Sequence, residues 1–463
     1  MRRRAGCIFP VGRIFLATIA LLPAAGAQNM IALPNAPAPA FSAQVAAART
    51  AAATGPPTLT RQQAEAMAIR QNPDISVGKL LALAQHQVVR EARSADLPNL
   101  TGNVTAVDAL DGSRISAGDL TGSRVFEHAG AGGNLSQLIT DFGHTHNLIA
   151  SQKLEEKAQN ANALATTEDI VLATDQAFYG ALEAQALLRV AAQTVRARQT
   201  TDDQVRQMTR NKLKSTLDLS FADVDLSQGK LLQLDAQNNA ASAMAALDAI
   251  LGLDHDVQYK LVEEPATVEP PPGDAQPLIQ LALRQRPDLH ALDYGQQSAK
   301  KLARAQREEM LPTISAMGTA GTVPIRPAAY YDNNWWGAVG VNMNIPIFNG
   351  FFYNAQAKAS RLRADADLER ARSLRDQIVR DVRTAWLTSN TAWQRVAVTA
   401  QLAKQANLAL QLAQTRYKLG LSSIVELSQA QLQQTQAAIG NVNAQYQYQL
   451  SLATLNYETG SQP

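Results

Sequence analysis

Between residues 335 and 347 the side chains alternate. Trp335, Val339, Val341, Met343, Ile345 and Ile347 fall on one face, and Trp336, Ala338, Gly340, Asn342 and Asn344 on the other. A period of two is that of a β-strand with one greasy side. A weaker partner strand is expected near 313–322, carried by Ile314, Ala316, Gly318 and Ala320, and a Gly-rich pair at about 99–109 and 126–140. The connections within each pair are 111–124 and 323–334. Elsewhere the period is helical. Amphipathic helices are predicted over 60–94, with Thr60 as cap, and 278–310, and LPNL (97–100) and LPTI (311–314) end them because proline disfavours helix at and before its own position. Very long helices follow at about 147–208 and 353–418, each on the order of 90–100 Å at 1.5 Å per residue. Shorter helices are expected at 217–251 and 424–457. Ile170, Thr174, Ala177, Ala181, Ala184 and Leu188 recur at alternating spacings of four and three, the seam of a coiled coil.

These elements come twice. AIRQNPDI (68–75) resembles ALRQRPDL (282–289), and LPNL resembles LPTI, both at an offset of 214. LITDFG (138–143) meets IPIFNG (345–350) at 207; Ile170, Ala177 and Phe178 meet Ile378, Ala385 and Trp386 at 208; LSFA (219–222) meets LSQA (427–430) at 208. TRNKL (209–213) aligns with TRYKL (415–419) at 206, which makes the first copy's turn two residues shorter and sets Lys214 against Gly420. A tighter or differently capped first turn follows from that alignment. In the second copy Gly420 suits a left-handed helix end, and Ser422 or Ser423 a cap for the next helix. The domain plan is therefore a leader (1–27), an Ala/Pro-rich tail (28–58), repeats at 59–255 and 278–458 joined by a Pro-rich linker (256–277), and a short C-terminal tail (459–463).

Strands of about ten residues with one apolar face have the length of transmembrane barrel strands. Four cannot close a barrel, and open edges are not tolerated in lipid, so at least two chains, and more comfortably three, must assemble. No segment beyond the leader has eighteen consecutive apolar residues, so a membrane-spanning helix is not expected. The leader joins four Arg to a short apolar run (14–22) and the small residues Ala25-Gly26-Ala27, the pattern of a cleaved export signal. It also contains the one cysteine, Cys7, which excludes disulfides and thiol chemistry from the exported chain. Without the leader, 38 basic residues face 40 acidic ones, a net charge of −2, which gives no case for nucleic acid.

Catalysis finds little support. Of six histidines only His144 and His146 are close-set; on a strand they would share a face as a metal pair, and at a strand-to-helix junction they read as a polar belt. Gly130-Ala131-Gly132-Gly133 lacks the context of a phosphate loop and suits a barrel interior. Tyr330, Tyr331, Trp335 and Trp336 cluster where the best strand begins, as an interface girdle would or as ordinary aromatic packing would.

The duplicated order, with RPDL, LPTI, IPIFNG and the TRYKLGLSSIVELSQAQL run, resembles the TolC-type outer membrane efflux proteins over about 59–458. The fold this implies is mainly α with a small β part: long coiled-coil hairpins and four transmembrane strands per chain. Three chains would form a twelve-stranded barrel and an α-helical barrel through the periplasm. The implied function is a passive, gated exit duct of a tripartite efflux pump or type I secretion system. Its partners would be a periplasmic adaptor, an inner-membrane transporter and outer-membrane lipid, with no cofactor, metal or nucleic acid. The resemblance assigns adaptor contact to Leu419, Gly420, Leu421 and Ser422, and in the first copy to Leu213, Lys214 and Ser215. It puts Glu426 at a pore-constricting acid position, with Asp218 its match at 208, while the family's second acid is here Gln429. Carboxylate rings at a constriction favour cations. The rival readings are a coiled-coil stalk without transport and, on the His144/His146 pair alone, an enzyme.

Overall fold

The computed structural model describes residues 57–108, 114–117, 120–124, 128–253, 259–262, 270–326, 330–331 and 335–461. The leader, most of the tail, and parts of the loops and linker lie outside them, as do the side chains of Tyr330 and Tyr331. The first copy begins with β1 (Thr58–Leu59), α1 (Arg61–Gln71) and α2 (Pro73–Ser94). It continues through β2 (Asn99–Val107), a small hairpin of β3 (Arg114–Ala117) and β4 (Leu120–Arg124), β5 (His128–Thr140), α3 (His144–Arg210) and α4 (Thr216–Leu251). After β6 (Lys260–Leu261) the second copy runs α5 (Gln276–Gln285), α6 (Pro287–Glu308), β7 (Thr313–Arg326), β8 (Tyr330–Tyr331), β9 (Trp335–Asn344), α7 (Phe352–Lys418) and α8 (Ile424–Glu458).

Several boundaries differ from expectation. The helices predicted over 60–94 and 278–310 are each broken in two, because Asn72 and Arg286 precede proline and take extended backbone (ψ 127° and 120°). Thr60 caps α1 in a reciprocal box with Gln63. The best strand stops at Asn344, so Ile345 and Ile347 leave the ladder just where Pro346 supplies no N–H. The linker is shorter than its composition implied, since Lys260–Leu261 pairs in parallel with Thr58–Leu59. On α3 the buried seam sits beside the expected one: Thr174 and Ala181 belong to it, joined by Val171, Asp175, Phe178 and Leu182.

The four long strands form an antiparallel meander in the order β2-β5-β7-β9, with β8 extending the pairing of β7. Its register assigns the side chains to two faces of different character. Leu100, Leu135, Gly318 and Val339 make one cross-strand row, and Thr101, Asn134, Thr319 and Ala338 make the next, on the opposite face. One face is thus mainly apolar or small, with Gln137 among its residues, and the other carries mainly Asn, Thr, Ser and Gly, with Leu138 and Met317 among them. Below the sheet the upper helices lie in the row α2-α3-α6-α7, and the lower ones in the row α4-α3-α8-α7. The rows end at α2 and α4 on one side and α7 on the other, just as the sheet ends at β2 and β9.

The NPDI and RPDL motifs acquire a shared role. In each copy the last helix ends in a left-handed glycine, Gly252 (φ 73°) or Gly460 (φ 66°), seated on the residue before Pro-Asp. A Cβ on Gly252 would come 2.8 Å from the Gln71 carbonyl oxygen, and one on Gly460 3.2 Å from the Arg286 nitrogen. The polar link differs between copies: Asn72 donates to the Ile250 carbonyl at 3.0 Å, whereas Arg286 forks onto Asp288 and reaches Glu458 at 2.5 Å.

Candidate functional site: the helical turns and the strand faces

The two turns between helices are superimposable in their hydrogen bonding. In the second copy Gly420 takes φ 76°, its N–H donates to Tyr417, and the Leu421 N–H donates back to Arg416 at 2.8 Å. In the first copy Lys212 takes φ 61°, its N–H donates to Thr209, and the Leu213 N–H donates back to Met208 at 2.8 Å. Both are six-to-one closures of a helix end. The offset is 208 throughout, so the first turn is neither shorter nor tighter than the second, and the residue matching Gly420 is Lys212, not Lys214. The signal was present: both flanks of the turn align at 208, and the TRNKL/TRYKL likeness at 206 is a local coincidence.

Each following helix is capped by a serine, reciprocally in the first copy alone. Ser215 accepts from the Asp218 N–H, and the Asp218 carboxylate returns to the Ser215 N–H at 3.0 Å. Ser423, rather than Ser422, accepts from the Glu426 N–H, and Ser422 Oγ is buried without a partner among the described residues. Asp218 and Glu426 are thus both first-turn acids, where the helix dipole favours them. Glu426 also meets Arg416 Nε at 3.2 Å with both side chains half exposed, a pair of small energetic weight. Gln429 is exposed one turn on.

The tips of the two hairpins share a core. Val205 and Ala222 of the first pack with Ala413, Tyr417, Ile424, Leu427 and Ala430 of the second. Lys214 lies with its ammonium 4.3 Å from the centre of the Tyr417 ring, within cation–π range. Burial pushes the Tyr417 hydroxyl up to about 12, and the Asp218 charge adds to the effect. Leu213, Leu419 and Leu421 all project, each about two-thirds exposed or more. Gln431 donates to Thr201 at 3.0 Å and ties the hairpins together above the core. Tyr417, Arg416 and Lys212 were not singled out from sequence; only tertiary packing gives the first two partners.

At the opposite end the adjacent tryptophans separate. Trp335 shares the apolar face with Val339 and Val341 and is 75% exposed; Trp336 is on the polar face, 47% exposed, beside its cross-strand partner Gly321. His144 and His146 sit in the first turn of α3, two residues apart on a helix and so on different sides. His144 instead contacts the Ala305 carbonyl at 2.9 Å. Against the opposing effect of burial, hydrogen bonds from the Thr145 hydroxyl and from the Thr145 and Gly143 N–H groups hold the Asp141 carboxylate low. No cluster of metal-ligating side chains occurs among the described residues, and Gly130 to Gly133 lie within β5.

An antiparallel sheet with one apolar face, carried on duplicated helical hairpins about 100 Å long, defines the class of outer-membrane channels that reach into the periplasm. A model of the outer membrane efflux protein family matches residues 66–253 and 278–461; the chain belongs to that family. It is 24% identical over 405 residues to outer membrane protein TolC of Escherichia coli K12, covering 84% of this chain and 80% of the relative. It is 25% identical over 389 residues to OprJ of Pseudomonas aeruginosa, covering 81% and 78%. The fold matches a crystal structure of CusC with a TM-score of 0.76 at 19% identity, over 87% of this chain and 92% of that one. It matches the Campylobacter jejuni CmeC outer membrane channel with 0.75 at 16%, over 87% and 85%. The protein is therefore an outer-membrane efflux channel of the TolC type, and members of the family are channels rather than enzymes.

Proposed function

We propose that three copies close into one duct, a twelve-stranded barrel above an α-helical tube, which serves as the exit of a pump completed by a periplasmic adaptor and an inner-membrane transporter. The observation that carries this reading is the coincidence of open edges. β2 and β9 end the sheet on the same two sides on which α2, α4 and α7 end the helical rows, so one rotation can satisfy strand and helix edges together. The helices at those edges carry exposed apolar side chains: Leu217, Phe221 and Val224 on α4, and Val398, Leu402 and Leu412 on α7. Residues 1–27 would direct export. Trp335, with Tyr330 and Tyr331, would mark the outer membrane interface, a role the polar-face Trp336 does not share.

The turns would form the periplasmic mouth. With identical closures, Leu213 and Leu421 present equivalent apolar knobs, so Leu213, Lys214 and Ser215 offer an adaptor the same backbone template as Leu421, Ser422 and Ser423, with Leu419 and Gly420 beside them. Glu426 and Asp218 would repeat around the axis, Glu426 tempered by Arg416. Purified protein in planar bilayers tests the reading: it should be trimeric and conduct, and Glu426→Gln should lower cation preference about two- to threefold. A monomeric, non-conducting protein would overturn the duct and favour the stalk; unchanged selectivity in the variant would remove Glu426 from the constriction.

A further inference from the structure

We infer that Trp336 forms an aromatic shelf on the pore wall, near the end of the barrel remote from the helices, that binds organic cations bearing flat aromatic rings. The inference rests on the barrel proposed above, in which the polar sheet face lines the lumen.

Three observations converge on this residue. The first is parity: Trp336 shares its face with Ala338, Gly340 and Asn342, and the register puts Asn103, Gly132, Gly321 and Trp336 in one cross-strand row. Asn134, Ser136, Ser315 and Thr319 belong to the same face, so a tryptophan there has no lipid to meet. It is the only aromatic on the polar face among the described side chains of the four long strands.

The second is the bed. A Cβ built on Gly321 would come 2.9 Å from Trp336 Cζ2, and one on Gly132 would come 3.8 Å from the same atom. The six-membered ring therefore reaches across β7 towards β5 and lies along the sheet rather than standing into the lumen. Only glycine leaves room beneath it. The third is exposure: the side chain stays 47% exposed with its underside on glycine, so the opposite π-face is open.

An indole face presents negative potential and attracts cations, with tryptophan the strongest of the aromatic side chains. No charged side chain is described on the polar faces of these strands, so among the described groups there the π-face is what attracts a cation. Aromatic rings on that cation would stack on the same surface. Repeated by the proposed three-fold symmetry, the shelves pave the wall near the exit without plugging it.

The test uses the purified full-length trimer in planar bilayers with tetraphenylphosphonium as the probe. Wild-type current should fall with probe concentration. Trp336→Ala and Trp336→Leu should both weaken the block by about two- to fivefold, the scale of an exposed cation–π contact. Trp335→Ala, on the lipid face, should leave it unchanged. Trp336→Leu keeps apolar bulk without a π-face, so block retained in that variant overturns the aromatic shelf, as does equal weakening by Trp335→Ala. A conducting wild type indifferent to the probe overturns the shelf alone, and a wild type that forms no pore overturns the barrel with it.

Discussion

At the scale of single residues, two positions store measurable free energy. Asp175 is buried between α1 and α3, 3% exposed, with one oxygen near Arg61 and the other without a partner among the described residues. Burial, together with the neighbouring Glu65, pushes its carboxyl up to about 7, against the pull of Arg61. The folded protein thus binds a proton there that the unfolded chain releases near pH 4, and stability falls as the pH rises from about 4 through 7. Asp175→Asn should flatten that slope, which is at most about 1.4 kcal/mol per pH unit, in melts taken from pH 5 to 8. The second position is Lys212, a β-carbon residue in left-handed backbone where its twin is Gly420. Lys212→Gly should stabilise by roughly 0.5–1 kcal/mol and Gly420→Ala should destabilise by about 1 kcal/mol, both read from urea midpoints. Charge, apolarity and residue size at these sites were plain in the sequence. The elevated Asp175 carboxyl was not, because α1, more than a hundred residues earlier, supplies Glu65 and Arg61.

Elements behave as the period of their side chains dictates, except where proline or a distant partner intervenes. The long helices end within a few residues of expectation, because turn glycines, serines and lysines act locally. The break in the helix at the head of each copy follows from Pro73 and Pro287, which push the residue before them to extended backbone; the packing of Gly252 or Gly460 against that break is set by contacts distant in the chain. Gly252→Ala would bring a methyl to 2.8 Å from the Gln71 carbonyl at a positive φ. It should destabilise by on the order of 2 kcal/mol, seen as a lowered melting temperature. On the sheet, Val339→Arg on the apolar face should cost about 2–4 kcal/mol if that face meets lipid and impair assembly into membranes. Asn342→Arg, on the other face, should be tolerated. Alternation read from residues 335–344 anticipated that contrast; the weaker Gly-rich strands needed their ladder partners to fix register.

For the whole molecule, the decisive feature is what one chain leaves unfinished. Among the described residues its sheet and helical rows end in open edges, and apolar side chains on α4 and α7 stay partly exposed to solvent. In the proposed trimer, Phe221→Asp or Leu412→Asp should shift the purified protein towards monomer in light scattering, while the same change at a solvent-facing helical position should not. By itself the sequence determined the duplication, the mainly helical class with one strand pair per copy, the membrane length of the strands and the location of both turns. Each follows from periodicities and breakers acting over a few residues. Tertiary structure alone decided the seating of each copy's end on its beginning and the glycine bed under Trp336. Those features depend on which strands and helices become neighbours across some two hundred residues, and the pattern along one segment does not encode its neighbour in space.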